Sequence, residues 1–173
     1  MSWSRWEDYF WPDTPGVLKN KLGIRDQELL TYIEEQISLV RIAEYLHQQR
    51  GGDFGFEHYL RTHHTIFRDV YEWSGQPRTV PKTAMTKRGP DIVNFAVGDP
   101  AAPVVPYYYR PGPEVRQSAE YVFARLQDED GLTGLRRRDF VERLGTYWGV
   151  IDSIHCFREG NTRTEYAFFH SLA

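Results

Sequence analysis

The sequence has a single cysteine, Cys156, in 173 residues. An internal disulfide is thereby excluded, as is a thiolate-rich metal site, and a reducing compartment is the natural expectation. Excess charge of one sign is also missing: 21 Lys+Arg stand against 24 Asp+Glu, a formal charge of -3. Nucleic-acid binding through bulk positive charge is not expected. Long apolar runs are absent too. The longest stretch without Lys or Arg, Gly89 to Tyr109, is broken by Asp91, Asp99 and prolines, well short of the roughly 18 apolar residues of a membrane helix. The opening MSWSRWEDYFW mixes charges with aromatics and has no apolar signal core, so a cytoplasmic location is expected. What is abundant is aromatic: 11 Tyr, 10 Phe and 5 Trp make up 15% of the chain, enough to line a core and a groove.

The length suits one domain, 1–173, since single cores usually take roughly 100 to 200 residues. Residues 1–24 carry Pro12, Pro15, Gly16 and Gly23 among Trp3, Trp6, Phe10 and Trp11 and read as an irregular arm packed on the body. Leu29, Ile33, Ile37, Val40 and Leu46 recur at helical spacing, which predicts a long amphipathic helix from Arg25 to about Arg50, stopped by Gly51-Gly52. A second helix is predicted over Phe56 to Tyr71 with Tyr59, Leu60, Ile66, Phe67 and Val70 buried, ended by Gly75 and Pro77. Residues 78–97 read as a small β-hairpin turning at Lys87-Arg88-Gly89-Pro90, and the proline-rich stretch Gly98 to Pro113 as a stiff connection. Helices are predicted over Glu114 to Asp128, Arg136 to Asp152, and from near Asn161. The last shows no stop signal, so the chain is read as truncated within, or just at the end of, a helix. The fold class is mainly α, a helical bundle with one small hairpin.

The stretch with most chemistry in it is IDSIHCFREGNTRTEY, Ile151 to Tyr166. Gly160 and Asn161 can open a helix whose first N–H groups cradle an anion, with Asn161 as its cap. Arg163, on the first turn, suits phosphate oxygens. Glu159 is placed to hold Mg²⁺ between phosphates. His155, ordinarily titrating near about 6.5, is the natural base for an attacking hydroxyl, and Phe157 is read as an inward anchor. An ordinary helix–loop–helix corner with a capping Asn is the alternative on spacing alone. Elsewhere, His58, His63 and His64 lack metal-ligand spacing and read as structural or surface residues. Arg136-Arg137-Arg138 reads as a solvated turn, Cys156 as a small buried side chain, and Tyr107 to Tyr109 as packing beneath the proline-rich loop.

The run His155-Cys156-Phe157-Arg158-Glu159-Gly160-Asn161-Thr162-Arg163 resembles the motif HPFx(D/E)GNGRxxR of the Fic/Doc family. VLKNKLGI at Val17 to Ile24, IFRDVYEWSGQPRTV at Ile66 to Val80 and the hairpin after it are similar to class I bacterial Fic toxins, so the likeness covers nearly the whole chain. The resemblance implies a Fic-fold helical bundle that transfers AMP from ATP, with Mg²⁺, onto a hydroxyl side chain of a target protein. It makes His155 the general base, Glu159 the metal ligand, Gly160, Asn161, Thr162 and Arg163 the nucleotide site, and residues 155–166 the motif loop and helix start. The hairpin becomes a flap that registers the target by strand addition, with Arg78, Thr79, Val80 and Lys82 in it. It further implies a small antitoxin chain with an inhibitory helix, and type II topoisomerase as a target class. The inhibitory pattern (S/T)xxxE(G/N) has its nearest match at Thr31 to Gln36, with Gln in the last place, and is not assigned. This chain departs from the motif at Thr162, where the second glycine belongs, at Tyr166, where the last arginine belongs, and at Cys156 for proline. Those departures leave two alternatives open: an impaired Fic-fold binding module, or altered phosphoryl or nucleotidyl transfer.

Overall fold

A computed structural model describes residues 3–48 and 52–172. The described residues form five α-helices and two small antiparallel hairpins. Strands β1 (Phe10–Trp11) and β2 (Thr14–Leu18) make the first hairpin inside what the sequence suggests is an irregular arm. Helices α1 (Gln27–Gln48) and α2 (Phe56–Phe67) follow, then β3 (Met85–Pro90), β4 (Val104–Tyr109), α3 (Gly112–Asp128), α4 (Arg137–Ile154) and α5 (Asn161–Leu172). The Gly51-Gly52 stop expected for α1 lies partly outside the described residues.

Two apolar clusters hold the bundle, and α2 and α5 contribute to both. Val115, Ala119, Phe123 and Leu126 of α3 repeat at helical spacing and close on Tyr59 of α2, Ile151 of α4 and Phe168 of α5. On the other side, Tyr9, Val17 and Leu18 of the arm cover Ile66, Phe67, Val70, Tyr71 and Trp73. The arm is therefore part of the core. Trp6 and Phe10 pack edge-on to one another with ring centroids 6.3 Å apart, and Trp3 stacks on Tyr9 at 5.2 Å.

Helix α1 exists as expected, but its buried face is rotated. Leu29 is 49% exposed and Val40 59%, whereas Leu30, Glu34, Ser38, Ile42 and Tyr45 point inward. Two polar side chains thus displace apolar ones from the core-facing stripe, because Glu34 and Ser38 meet an arginine of α5 described below.

The hairpin expected at 78–97 is also relocated. Lys87-Arg88-Gly89-Pro90 is strand, not turn, and its partner is β4, in the stretch read as a stiff connection. The register runs from Met85 opposite Tyr109 to Pro90 opposite Val104. Residues 78–82 lie before the hairpin. Arg78 and Val80 are buried at 1% and 5% exposure, while Thr79 and Lys82 are exposed. Tyr107 and Tyr109 are accordingly strand residues, and the Tyr107 hydroxyl donates to Pro90 O at 2.6 Å. No helix among the described residues is long and apolar enough to cross a membrane.

Candidate active site

Helix α4 ends at Ile154, and His155 caps it in the left-handed region, φ 54°, ψ 65°. A loop of five further residues leads into α5. Gly160 is the one place in this loop where glycine is required: its φ is +79°, and a Cβ there would sit 2.3 Å from the Phe67 ring. Phe157 is fully buried, its ring stacked on that of His63 with centroids 3.7 Å apart. His63 fastens the loop a second way. It accepts from Gly75 N–H at Nδ1, 2.8 Å, which leaves Nε2–H to donate to Glu159 O, 3.1 Å. Burial holds His63 neutral, pushing its pKa down to about 3.

Asn161 does not cap α5. Its side-chain amide reaches back to Phe157, accepting from the backbone N–H at 2.8 Å and donating to the carbonyl at 2.9 Å. The first helical bond into Gly160 O comes from Thr164 N–H at 3.0 Å, so the N–H groups of residues 161–163 lack acceptors within their own helix. They lie beside a cavity of about 500 Å³ lined by His155, Arg158, Glu159, Gly160, Asn161, Thr162 and Arg163, together with Lys87 and Tyr109 of the hairpin. A positive helix end and N–H groups without helical acceptors are features that suit an anion. Thr162 sits at the second position of α5, not among the positive-φ residues, and is exposed. Threonine is therefore accommodated there without left-handed backbone strain.

The His155 imidazole is half-buried and stacks on Tyr109, centroids 4.1 Å apart and planes 19° apart. Desolvation, then the positive charges of Arg78, Lys87 and Arg158, push its pKa down to about 4. It is neutral at physiological pH, the form a general base needs. Nδ1 is buried and has no hydrogen-bond partner among the described residues, which leaves Nε2 as the ring nitrogen for a substrate proton.

Glu159 is 44% exposed at the cavity mouth, where Oε1 accepts from Gly160 N–H at 2.9 Å. One exposed carboxylate with room for phosphates beside it is a donor set that fits Mg²⁺, which usually takes one or two carboxylates plus substrate oxygens and water. Among the described residues no group of three or more His, Cys, Asp or Glu could hold a metal by itself. His58 instead meets the Tyr45 hydroxyl at 3.0 Å, and His64 meets Ser74 Oγ at 3.0 Å. Cys156 is fully buried, and burial pushes its thiol well up.

Arg163 is engaged. Its guanidinium forks onto Glu34, Nη1 to Oε2 at 2.9 Å and Nη2 to Oε1 at 2.8 Å, and also donates to Ser38 Oγ at 2.9 Å. This pair links α1 to α5 across 129 positions of sequence and could not be read from local spacing. Glu34 and Ser38 are therefore site residues that sequence reasoning misses, as are Lys87 and Tyr109. The Glu34 carboxyl is buried, and desolvation raises its pKa although the Arg163 contact pulls the other way. Tyr166 is 48% exposed and is not among the residues lining the cavity. Replacing Glu34 by Gln keeps the volume and removes the charge that occupies Arg163. The expected result is tighter binding of a triphosphate, about fivefold to tenfold by calorimetry, since charge-assisted bonds then pass to the ligand.

A helical bundle that presents a helix N-terminus, a neutral histidine and a carboxylate to one cavity defines a phosphate-handling domain. The chain belongs to the Fic/DOC family: the family model matches residues 53–173. It is 31% identical over 157 residues to the probable protein adenylyltransferase y4lH of Sinorhizobium fredii, covering 90% of this chain and 70% of the relative. It is 30% identical over 167 residues to the protein adenylyltransferase VbhT of Bartonella schoenbuchensis, covering 96% of this chain but only 30% of VbhT. The fold is that of solved Fic domains. The N-terminal Fic domain of an effector from Bartonella sp. AR 15-3 superposes with a TM-score of 0.80 at 24% identity, covering 96% of this chain and 72% of the other. A Bartonella quintana Fic domain with bound ADP gives 0.79 at 23%, covering 96% and 75%.

Proposed function

We propose that this domain transfers AMP from ATP to a hydroxyl side chain of a target protein. The observation that carries the reading is the convergence of a neutral His155, an open helix N-terminus and Glu159 on one cavity. The adenylyltransferase names of the relatives and the nucleotide in a neighbouring Fic structure support it. In this reading the triphosphate lies against the N–H groups of residues 161–163, which place the α-phosphorus toward His155. His155 Nε2 takes the proton of the target hydroxyl as its oxygen bonds to the α-phosphorus, and the bond to the β-phosphate breaks, releasing pyrophosphate. Glu159 would hold Mg²⁺, which when bound neutralises phosphate charge. Asn161 and Phe157 keep the loop closed, and His63 holds Glu159 from behind through its carbonyl.

The target segment is proposed to add as a strand along β3, whose Met85, Thr86 and Lys87 line the same cavity. In this reading these take the place of Arg78, Thr79, Val80 and Lys82 as flap residues, because all four precede the hairpin and the side chains of Arg78 and Val80 are buried. A toxin role in the cytoplasm, a small antitoxin partner and type II topoisomerase as target rest on the class I resemblance and belong to this proposal.

A second reading is favoured by three features: Arg163 is held by Glu34, Thr162 adds bulk at the phosphate approach, and Tyr166 supplies no charge. Such a domain would bind a partner and transfer slowly or not at all, or transfer a different phosphoryl group. The test is a pair of reactions with cell lysate, Mg²⁺ and ATP labelled at the α- or the γ-phosphate. Label from the α-position on protein is expected. Label from the γ-position alone would replace the reading with phosphoryl transfer. If a folded protein transfers neither label but the Thr162→Gly, Tyr166→Arg variant transfers the α-label, the second reading stands.

A further inference from the structure

Arg78 is among the largest fully buried side chains of the protein, and its acceptors are all main-chain carbonyls. Nε donates to His155 O at 2.6 Å, and Nη2 to Ile154 O at 3.1 Å and to Arg110 O at 2.6 Å, while Nη1 reaches Val80 O at 3.4 Å. The Arg78 backbone N–H adds a bond to Cys156 O at 2.9 Å.

The choice of these carbonyls matters. The C=O of Ile154 belongs to the peptide plane that precedes the His155 Cα, and the C=O of His155 to the plane that follows it. A single guanidinium therefore pins both planes that define φ and ψ of His155, and with them the direction of its Cα–Cβ bond. That backbone is left-handed, φ 54° and ψ 65°, a conformation a non-glycine residue keeps only when its surroundings fix it. The acceptors also lie at the C-terminal end of α4, where orphan carbonyls favour a cation. The third acceptor, Arg110 O, follows directly on Tyr109, whose ring stacks on the imidazole. Arg110 N–H in turn donates to Ser153 O at 3.2 Å. One side chain thus joins the backbone of the histidine to the root of the strand that carries its stacking partner.

We propose that Arg78 is the positioning residue of the His155 imidazole, acting through these carbonyls and not by contact with nucleotide. The proposal rests on the reading of His155 as the base. Lysine keeps the charge but is a point donor that cannot span the divergent acceptors of a planar fork. In Arg78→Lys, kcat for AMP transfer is expected to fall about 10-fold to 100-fold, as misplacement of a reacting group by about 1 Å does, with KM for ATP nearly unchanged. Affinity for a non-hydrolysable ATP analogue, measured by calorimetry, should stay within about threefold of the parent. In a His155→Ala background the same change should add no further loss, since Arg78 then has nothing to position. An unchanged kcat overturns the proposal. So does a loss of kcat matched by an equal loss of nucleotide affinity, or a full additional loss in the His155→Ala background. Should Arg78→Lys fail to fold, proton exchange of Arg78 Nε–H in the parent protein decides: protection with a contact to His155 supports the geometry, and exchange as fast as in exposed arginines overturns it. If His155→Ala keeps full activity, the base assignment fails instead, and the Nε–H measurement still reports on Arg78 by itself.

Discussion

Replacing His155 by alanine is expected to lower the rate of AMP transfer by about 10²-fold to 10⁴-fold, the usual contribution of a positioned general base. The fold should survive, because the ring packs mainly on Tyr109 at the cavity wall and the main-chain bonds of Arg78 to Ile154 O and His155 O do not involve it. Nucleotide binding should also persist, since the helix N-terminus and Arg163 are untouched. The pH profile of the parent protein carries the same information. The pKa of His155 is depressed to about 4 by burial and by Arg78, Lys87 and Arg158, so its neutral, proton-accepting form persists well below the ordinary imidazole value. The acid limb of kcat/KM is therefore expected near a pH of about 4. An acid limb near the ordinary imidazole value would mean that His155 is solvated, or that another group is the base.

The second large effect lies one helical turn beyond the anion site. Glu165 is buried at 1% exposure on α5, with only one oxygen engaged: Trp148 Nε1–H donates to Oε2 at 3.1 Å, while Oε1 has no partner among the described residues. Desolvation, aided by Asp152, raises its pKa to about 8. Between its ordinary value and about 8 the folded protein keeps a proton that the unfolded chain has lost. Stability is then greatest below the ordinary carboxyl range and falls as pH rises to about 8. A glutamine side chain at this position is an uncharged isostere that can still accept from Trp148. Glu165→Gln is therefore expected to stabilise the protein at about pH 8 by on the order of 3 kcal/mol, with no gain near about pH 4, in urea unfolding at the two pH values. His63 and His155 oppose this trend. Their folded pKa values are depressed, to about 3 and about 4, so the stability they allow is lost as pH falls below the ordinary imidazole value. Equal effects of the substitution at both pH values would show that Glu165 titrates in the folded protein as it does in the unfolded chain.

The sequence was most informative where one periodicity acts alone. The buried side of α2 is the one its spacing predicts, with Tyr59, Leu60, Ile66 and Phe67 all enclosed, and Val70, just past the end of the helix, is buried too. For α1 the same reasoning is right only in part: Ile37 and Leu46 pack against the core. Leu29 and Val40 follow the apolar rhythm yet face solvent, because Glu34 and Ser38 are drawn inward by Arg163. Local pattern failed there because a distant ion pair overrides it, as is expected at functional sites. The hairpin lies away from its expected place for a different reason. Prolines at 103 and 106 suggest a connection, but in a two-stranded ribbon each strand is an edge and a missing N–H can face away from the partner. Arg78 has the composition of a surface residue and the environment of a core residue, and only the carbonyls converging on it explain that. The order of His155, Glu159, Gly160, Asn161 and Arg163, by contrast, was legible because one loop and one helix start bring them to the same cavity.

Every step of the proposed transfer requires a nucleoside triphosphate at the start of α5 beside His155. Titrating isotopically labelled protein with a non-hydrolysable ATP analogue and Mg²⁺, and following backbone amide shifts, tests this most directly. The largest changes are expected at residues 160–163, with the His155 imidazole perturbed in the same titration. Changes confined to surfaces away from this loop, or none at millimolar ligand with the protein folded, would contradict it.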